Sequence, residues 1–331
     1  LAGIVASLSA CDNVEWGGVE VRMEPPPPPP GYIPPDSLAA EEERLRLPPL
    51  PEGPVVYLAR RTGGAVALLP VAELSGGSLE PLPSEADEPG FSEHFVNTLV
   101  PPGTEMVLLA DGRRVGTFVA GETWEMEGSL CYPRLRILGV AELLPSAADI
   151  RDFLALPTSL VEGLPREDVL STASTPEMRT ASLNAAGVLM NQFRTPWPPT
   201  VVETRRDLTV FHPRELDAPA FAASFVHLDG LRVGSAPADA WSIFYVARPN
   251  PEGSGYQTTL VRHSLFRRDG KSATRMLTQA DVTGDGREEI LLEVFGEESR
   301  WLAVGGFQGG EWRTVFEEPC APDGGTGVTP P

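Results

Sequence analysis

Met106-Val107-Leu108-Leu109-Ala110 is followed by Asp111-Gly112 and then by Val115-Gly116-Thr117-Phe118-Val119. Two β-prone apolar runs around Asp-Gly carry the grammar of a tight hairpin, because a type I′ turn needs positive φ at both central residues. The same grammar stands upstream, where Val55-Val56-Tyr57-Leu58-Ala59 and Ala65-Val66-Ala67-Leu68-Leu69 flank Thr62-Gly63-Gly64. Leu135 to Leu144 supplies another strand, so residues 55–145 are expected to form a small β domain. Between the hairpins, residues 75–104 are rich in Gly, Pro and Glu and are expected to be a long exposed loop.

Downstream the pattern changes. In residues 146–199, Ser146 can cap a helix through Ile150, Phe153 and Leu154, spaced i, i+3, i+4. Pro176 opens a second helix carrying Met178, Leu183, Ala186, Leu189, Met190 and Phe193, which Thr195-Pro196-Trp197-Pro198-Pro199 ends. Residues 200–318 return to strands: Val201-Val202, Leu208 to Phe211, Phe221 to Leu228, Trp241 to Ala247 and Thr258 to Arg267. Ile290 to Phe295, Trp301 to Gly305 and Trp312 to Phe316 follow. Residues 319–331 form a Gly/Pro tail, expected to be mobile. The expected fold is mainly β with a helical linker (α+β): two barrel- or sandwich-like β-rich domains joined by two helices, with a Pro-rich arm in front.

At 331 residues the chain is long enough for two domains and a real core. It has no run of 18 apolar residues, so no membrane-spanning helix is expected. A net charge of −20 argues against nucleic acid, which needs Lys and Arg to displace counterions from phosphates. It also argues against a face pressed flat on anionic lipid. Lys271 is the only lysine, and arginine supplies the other basic residues.

Residues 1–11, Leu-Ala-Gly-Ile-Val-Ala-Ser-Leu-Ser-Ala-Cys, are small, apolar and uncharged, and too short to span a bilayer. Leu8-Ser9-Ala10-Cys11 resembles the lipobox of bacterial lipoproteins. The resemblance implies a diacylglycerol or acyl anchor on Cys11, an extracytoplasmic location on the periplasmic side of a bacterial membrane, and attachment to that membrane through lipid. Leu1 is not Met and no basic residue precedes the run, so Leu1 is expected not to be the translation start. The alternative is a buried apolar element ending in an ordinary cysteine. Residues 12–54 read as an extended arm. Val19 to Met23 can form a short strand, and Ala39 to Leu45 a short helix capped by Asp36 or Ser37. Pro25 to Pro30 is an unbroken six-proline run, a stiff polyproline spacer about 19 Å long at about 3.1 Å per residue.

With Cys11 lipidated, Cys131 and Cys320 remain, an even number for an oxidising compartment. Their disulfide would close a loop of roughly 190 residues and contribute up to about 5 kcal/mol. Two separate buried cysteines are the alternative.

Asp281-Val282-Thr283-Gly284-Asp285-Gly286-Arg287-Glu288-Glu289 precedes the strand Ile290 to Val294. Oxygen side chains at positions 1, 3, 5 and 9 around a turn glycine can wrap a hard cation such as Ca2+. Position 12 is Leu292 instead of Glu, so this is not an EF-hand. The stretch, within Gln279 to Phe316, resembles a single calcium loop of FG-GAP or VCBS-type repeats. That resemblance implies Asp281, Thr283, Asp285 and Glu289 as ligands, with the carbonyl of Arg287 at position 7. The alternative is a Gly-rich turn whose acids face water.

Enzyme signatures are weak. Gly270-Lys271-Ser272 ends like a P-loop, but Leu265 stands where its first glycine belongs. His94, His212, His227 and His263 are scattered without metal-pair spacing, and there is no G-x-S-x-G elbow. Trp16, Pro25, Pro30, Tyr32 and Trp124 are the expected partner contacts. The expected function is non-catalytic: a membrane-anchored extracytoplasmic subunit that docks on and stabilises a larger membrane protein complex, as in respiratory or photosynthetic assemblies. Alternatives are a free lipoprotein binding Ca2+, a small ligand or a glycan, and a hydrolase with an unrecognised site.

Overall fold

The computed structural model describes residues 15–16, 19–20, 49–83, 90–128, 130–131, 134–161, 164–251 and 253–319. The chain divides into two compact units, Leu1–Arg46 and Leu47–Pro331. In the first, strands β1 (Glu15–Trp16) and β2 (Val19–Glu20) pair antiparallel, with Trp16 opposite Val19. Cys11, the proline run, Tyr32, the expected helix over 39–45 and Cys320 lie outside the described residues.

The second unit is mainly β. Its N-terminal half is a closed six-stranded antiparallel barrel. Strands β3 (Val55–Thr62), β9 (Asp152–Pro157), β6 (Glu105–Ala110), β7 (Arg113–Glu127), β8 (Arg134–Leu143) and β4 (Ala65–Ser75) follow in that order around the wall, and β4 pairs back to β3. The short β5 (Ser78–Glu80) hangs on β4. Closure through the β3–β4 pairing leaves β3 and β4 without the free edge that invites aggregation. Both hairpins read from sequence are present. Asp111 and Gly112 take φ of 51° and 66°, the positive pair of a type I′ turn. Gly139 is required by a close approach, since a Cβ there would lie 2.2 Å from the Val119 carbonyl oxygen.

Inward residues of the barrel alternate along each strand: Tyr57 and Ala59, Val66 and Leu68, Met106 and Leu108, Phe153 and Ala155. They pack on helix α1 (Phe91–Leu99), which contributes Phe91, Phe95 and Val96. The expected exposed loop over 75–104 therefore carries a strand and a core helix. The apolar spacing Phe91, Phe95, Val96 is i, i+4, i+5, one face of a helix hidden within polar surroundings.

A second expectation fails at β9. Ile150, Phe153 and Leu154 were expected on a helix, but Asp152–Pro157 is the strand that closes the barrel. Phe153 and Ala155 face in while Leu154 and Leu156 face a neighbouring sheet, so both faces are buried and the period-2 alternation is erased. Ser146 does not cap a helix there; its hydroxyl donates to Asp168 at 2.7 Å. Of the two expected helices only the second exists, α2 (Pro176–Gln192), capped by Thr175, whose Oγ1 accepts from the Met178 N–H.

Two four-stranded antiparallel meanders follow. The first is β10 (Arg205–Phe211), β11 (Ala220–His227), β12 (Trp241–Pro249) and β13 (Tyr256–Leu265). The second is β14 (Ala273–Ala280), β15 (Glu289–Phe295), β16 (Arg300–Gln308) and β17 (Glu311–Glu317). Val201-Val202, expected as strand, begins a single helical turn, α3 (Val201–Thr204).

The layers stack in order. Helix α2 covers one face of the first meander through Met178, Ala186, Leu189, Phe221, Phe225 and Tyr245. The two meanders meet face to face through Phe244, Leu260, Leu292, Val294 and Trp301. The far face of the second, with Leu291, Leu302 and Val304, packs on the outer barrel wall at Leu58, Leu69, Val107 and Leu154. Strands buried on both faces read as continuous apolar runs, as in Ala-Phe-Ala-Ala-Ser-Phe-Val of β11.

Candidate functional site

The hairpin tip Asp111-Gly112 is clamped where barrel and meanders meet. Asp111 is buried and its carboxylate accepts from the His212 backbone N–H at 2.7 Å, from Gln279 Nε2 at 2.6 Å and from Arg113 Nη1 at 3.2 Å; His212 Nδ1 lies 3.1 Å from its second oxygen. The Gly112 N–H donates to the Gln279 carbonyl, and Arg214 Nε donates to the Gly112 carbonyl at 2.9 Å. Glu288 closes the cluster. Burial, then the Glu215 and Asp111 carboxylates, push its carboxyl up to about 7, and Oε1 has no hydrogen-bond partner among the described residues. Every donor aimed at Asp111 is already satisfied, so the chemistry here is that of a buried clamp.

A second polar centre ties the same layers. Glu293 on β15 is fully buried and meets Arg60 of the barrel at 3.1 Å, Arg275 at 2.5 Å and Arg300. Burial alone would raise its carboxyl, but the three guanidinium groups outweigh that and pull it down to about 2. Arg60 is also paired with Asp152 of β9. The only lysine, Lys271, is wholly buried, with Nζ 2.6 Å from Asp229 and donating to the Gly234 carbonyl.

The loop Asp281 to Glu289 forms the turn between β14 and β15. Asp281 accepts from the N–H groups of Gly284 at 2.7 Å and Gly286 at 3.0 Å, and Asp285 accepts from Arg287 N–H at 2.8 Å. Glu289 accepts from Val282 and Thr283 N–H and from the Thr283 hydroxyl. The Arg287 guanidinium stacks 3.9 Å from the Phe307 ring centroid. Thr283, Asp285 and Glu289 do share one small cavity of about 140 Å3, which Ser78, Gln308 and Gly306 help to line. Among the described residues no group of three or more His, Cys, Asp and Glu side chains is placed to hold a metal. The ligand set named from sequence is thus gathered in one turn, with most of its oxygens already hydrogen-bonded within the loop.

Other predicted positions are dispersed. His94 rides on α1 instead of a loop, His212 is in the clamp, and His227 lies against Trp241. His263 stacks on Phe193 at 4.5 Å, and burial pushes it down to about 4. Cys131 is disulfide-bonded. No helix among the described residues is long and apolar enough to cross a membrane.

Trp124 is exposed on β7, with Met126 two residues on along the same face. Trp16 is described only through its backbone. Sequence reasoning did not name the exposed apolar residues of the helical layer as partner contacts. Trp197 is 56% exposed, 3.4 Å from the position of a Cβ on Gly187, and its Nε1 donates to Asn191 Oδ1. Val188, on the outer face of α2, is 65% exposed, and Val202 on α3 is exposed as well. The available signal was a tryptophan inside Pro196-Trp197-Pro198-Pro199, where prolines restrict the backbone and no strand can bury the ring.

No family model, curated protein or solved structure matches this chain.

Proposed function

We propose that this chain is a non-catalytic, lipid-anchored subunit on the periplasmic side of a bacterial membrane that docks on and stabilises a larger membrane protein complex. The observation that carries it is the exposed Trp197 with Val188 and Val202 on the outermost layer. Tryptophan is the residue most often found at binding hot spots, and proline-held backbone lowers the ordering cost of using it. The sequence supports the tether: an acylated Cys11, then the polyproline run, would hold the stacked layers at a set reach from the membrane. In this reading the barrel and the paired meanders act as two β-rich domains, and Cys320 is the disulfide partner of Cys131. Removing residues 12–54, or changing Trp197→Ala, should weaken co-purification with the complex in pull-downs from detergent extracts; undiminished recovery of both variants would contradict docking.

A second reading is favoured by the cavity at Thr283, Asp285 and Glu289: a lipoprotein that binds Ca2+ at the β14–β15 turn. Calorimetry with Ca2+ should then show heat that Asp285→Ala abolishes; no heat and no change in melting temperature would remove the ion.

A further inference from the structure

We propose that the groove between helix α2 and the β12–β13 turn is a binding site for a neutral saccharide. The groove holds about 550 Å3, within the roughly 300–1,000 Å3 range of small-molecule sites. Its floor is aliphatic, with Ala185 and Leu189 of α2. Around it stand Asn184, Gln192, Ser254, Tyr256, Gln257 and Thr258.

Two features select the ligand. First, none of the described lining residues is charged, although Asp, Glu, Lys and Arg make up 22% of the chain. Among the described lining residues an anion would find no Lys or Arg and a cation no carboxylate, while a purely apolar ligand would strip water from six polar side chains without replacing its hydrogen bonds. Second, three carboxamides and two aliphatic hydroxyls each both donate and accept, as vicinal sugar hydroxyls do. Asn184, Gln192, Ser254, Gln257 and Thr258 make no side-chain hydrogen bond among the described residues, so these groups are available.

Tyr256 adds the amphipathic surface on which a pyranose face can lie. Its ring is set by Phe221, edge-on at 4.9 Å and 62°. Burial and then the nearby Glu177 carboxylate raise the phenol above its ordinary range, so it stays a neutral donor. The groove shares Val188 with the docking surface proposed above, but Asn184 and Gln257, the positions changed in the test, are not part of that surface.

The test is saturation-transfer NMR on the full chain with four neutral probes, maltotriose, cellotriose, chitotriose and mannotriose, and trigalacturonate as the anionic control. The expected result is transfer onto the ring protons of at least one neutral trisaccharide and none onto trigalacturonate. The double variant Asn184→Arg, Gln257→Arg, both at exposed positions, should lower affinity at least about tenfold, the equivalent of roughly 1.4 kcal/mol. It should leave the melting temperature unchanged. Silence from all four neutral probes would overturn the proposal. So would transfer that survives in the double variant, or transfer onto trigalacturonate as strong as onto the best neutral probe.

Discussion

At Gly112 a methyl group has nowhere to go. The backbone sits at φ +66°, and a Cβ would lie 1.8 Å from the buried Glu288 Oε1. Gly112→Ala should therefore cost more than about 2 kcal/mol, combining left-handed strain with displacement of a packed carboxyl. A urea midpoint lowered at unchanged slope would show it. Glu293 makes a different prediction, about pH. Its folded carboxyl is held at about 2 against an ordinary 4.5. Between those values the unfolded chain binds a proton that the folded chain does not, so the stabilisation is complete above about pH 4.5 and is lost as pH falls toward 2. The full effect is roughly 3 kcal/mol. Glu293→Gln should be less stable at neutral pH, by about 3–5 kcal/mol because the buried carboxylate that Arg60, Arg275 and Arg300 share loses its charge, yet flatter in acid. Melting curves at neutral pH and at about pH 3 would separate the two effects; an unchanged acid slope in the variant would place the acid sensitivity elsewhere.

Helix α1 and strand β9 carry the fold's least predictable elements. Phe95 is fully buried against Tyr57 inside the barrel. Phe95→Ala should cost about 3–5 kcal/mol, whereas Asn97→Ala, exposed on the same helix, should stay within about 0.5 kcal/mol. Equal losses would mean the helix is held by its backbone alone. Removing the α2 cap with Thr175→Ala should cost about 1 kcal/mol. The hairpins were legible because Asp111-Gly112 and Gly63-Gly64 fix turn chemistry locally. β9 was not, because its two faces are buried by elements far away in the chain, and period cannot be read where nothing faces water. The candidate site divides the same way. Trp124 could be named from its polar neighbours, but the exposure of Trp197 depends on the packing of Gly187 beneath it, and the groove beside Tyr256 depends on a turn brought to α2 by the first meander.

At the scale of the whole molecule, the polar groups buried between layers hold the barrel to the meanders. Asp111 and Glu293 each join strands on both sides, so neither half should unfold alone. The outermost helical layer exposes Val188, Trp197 and Val202, the surface proposed above for docking. Mild-detergent extraction of native membranes, followed by size separation and mass spectrometry of the fractions holding this chain, tests docking most directly. Docking requires co-migration with one large membrane complex in a fixed ratio, with an acyl mass on Cys11. Migration of the chain alone, at its own 35.5 kDa plus detergent, would contradict it.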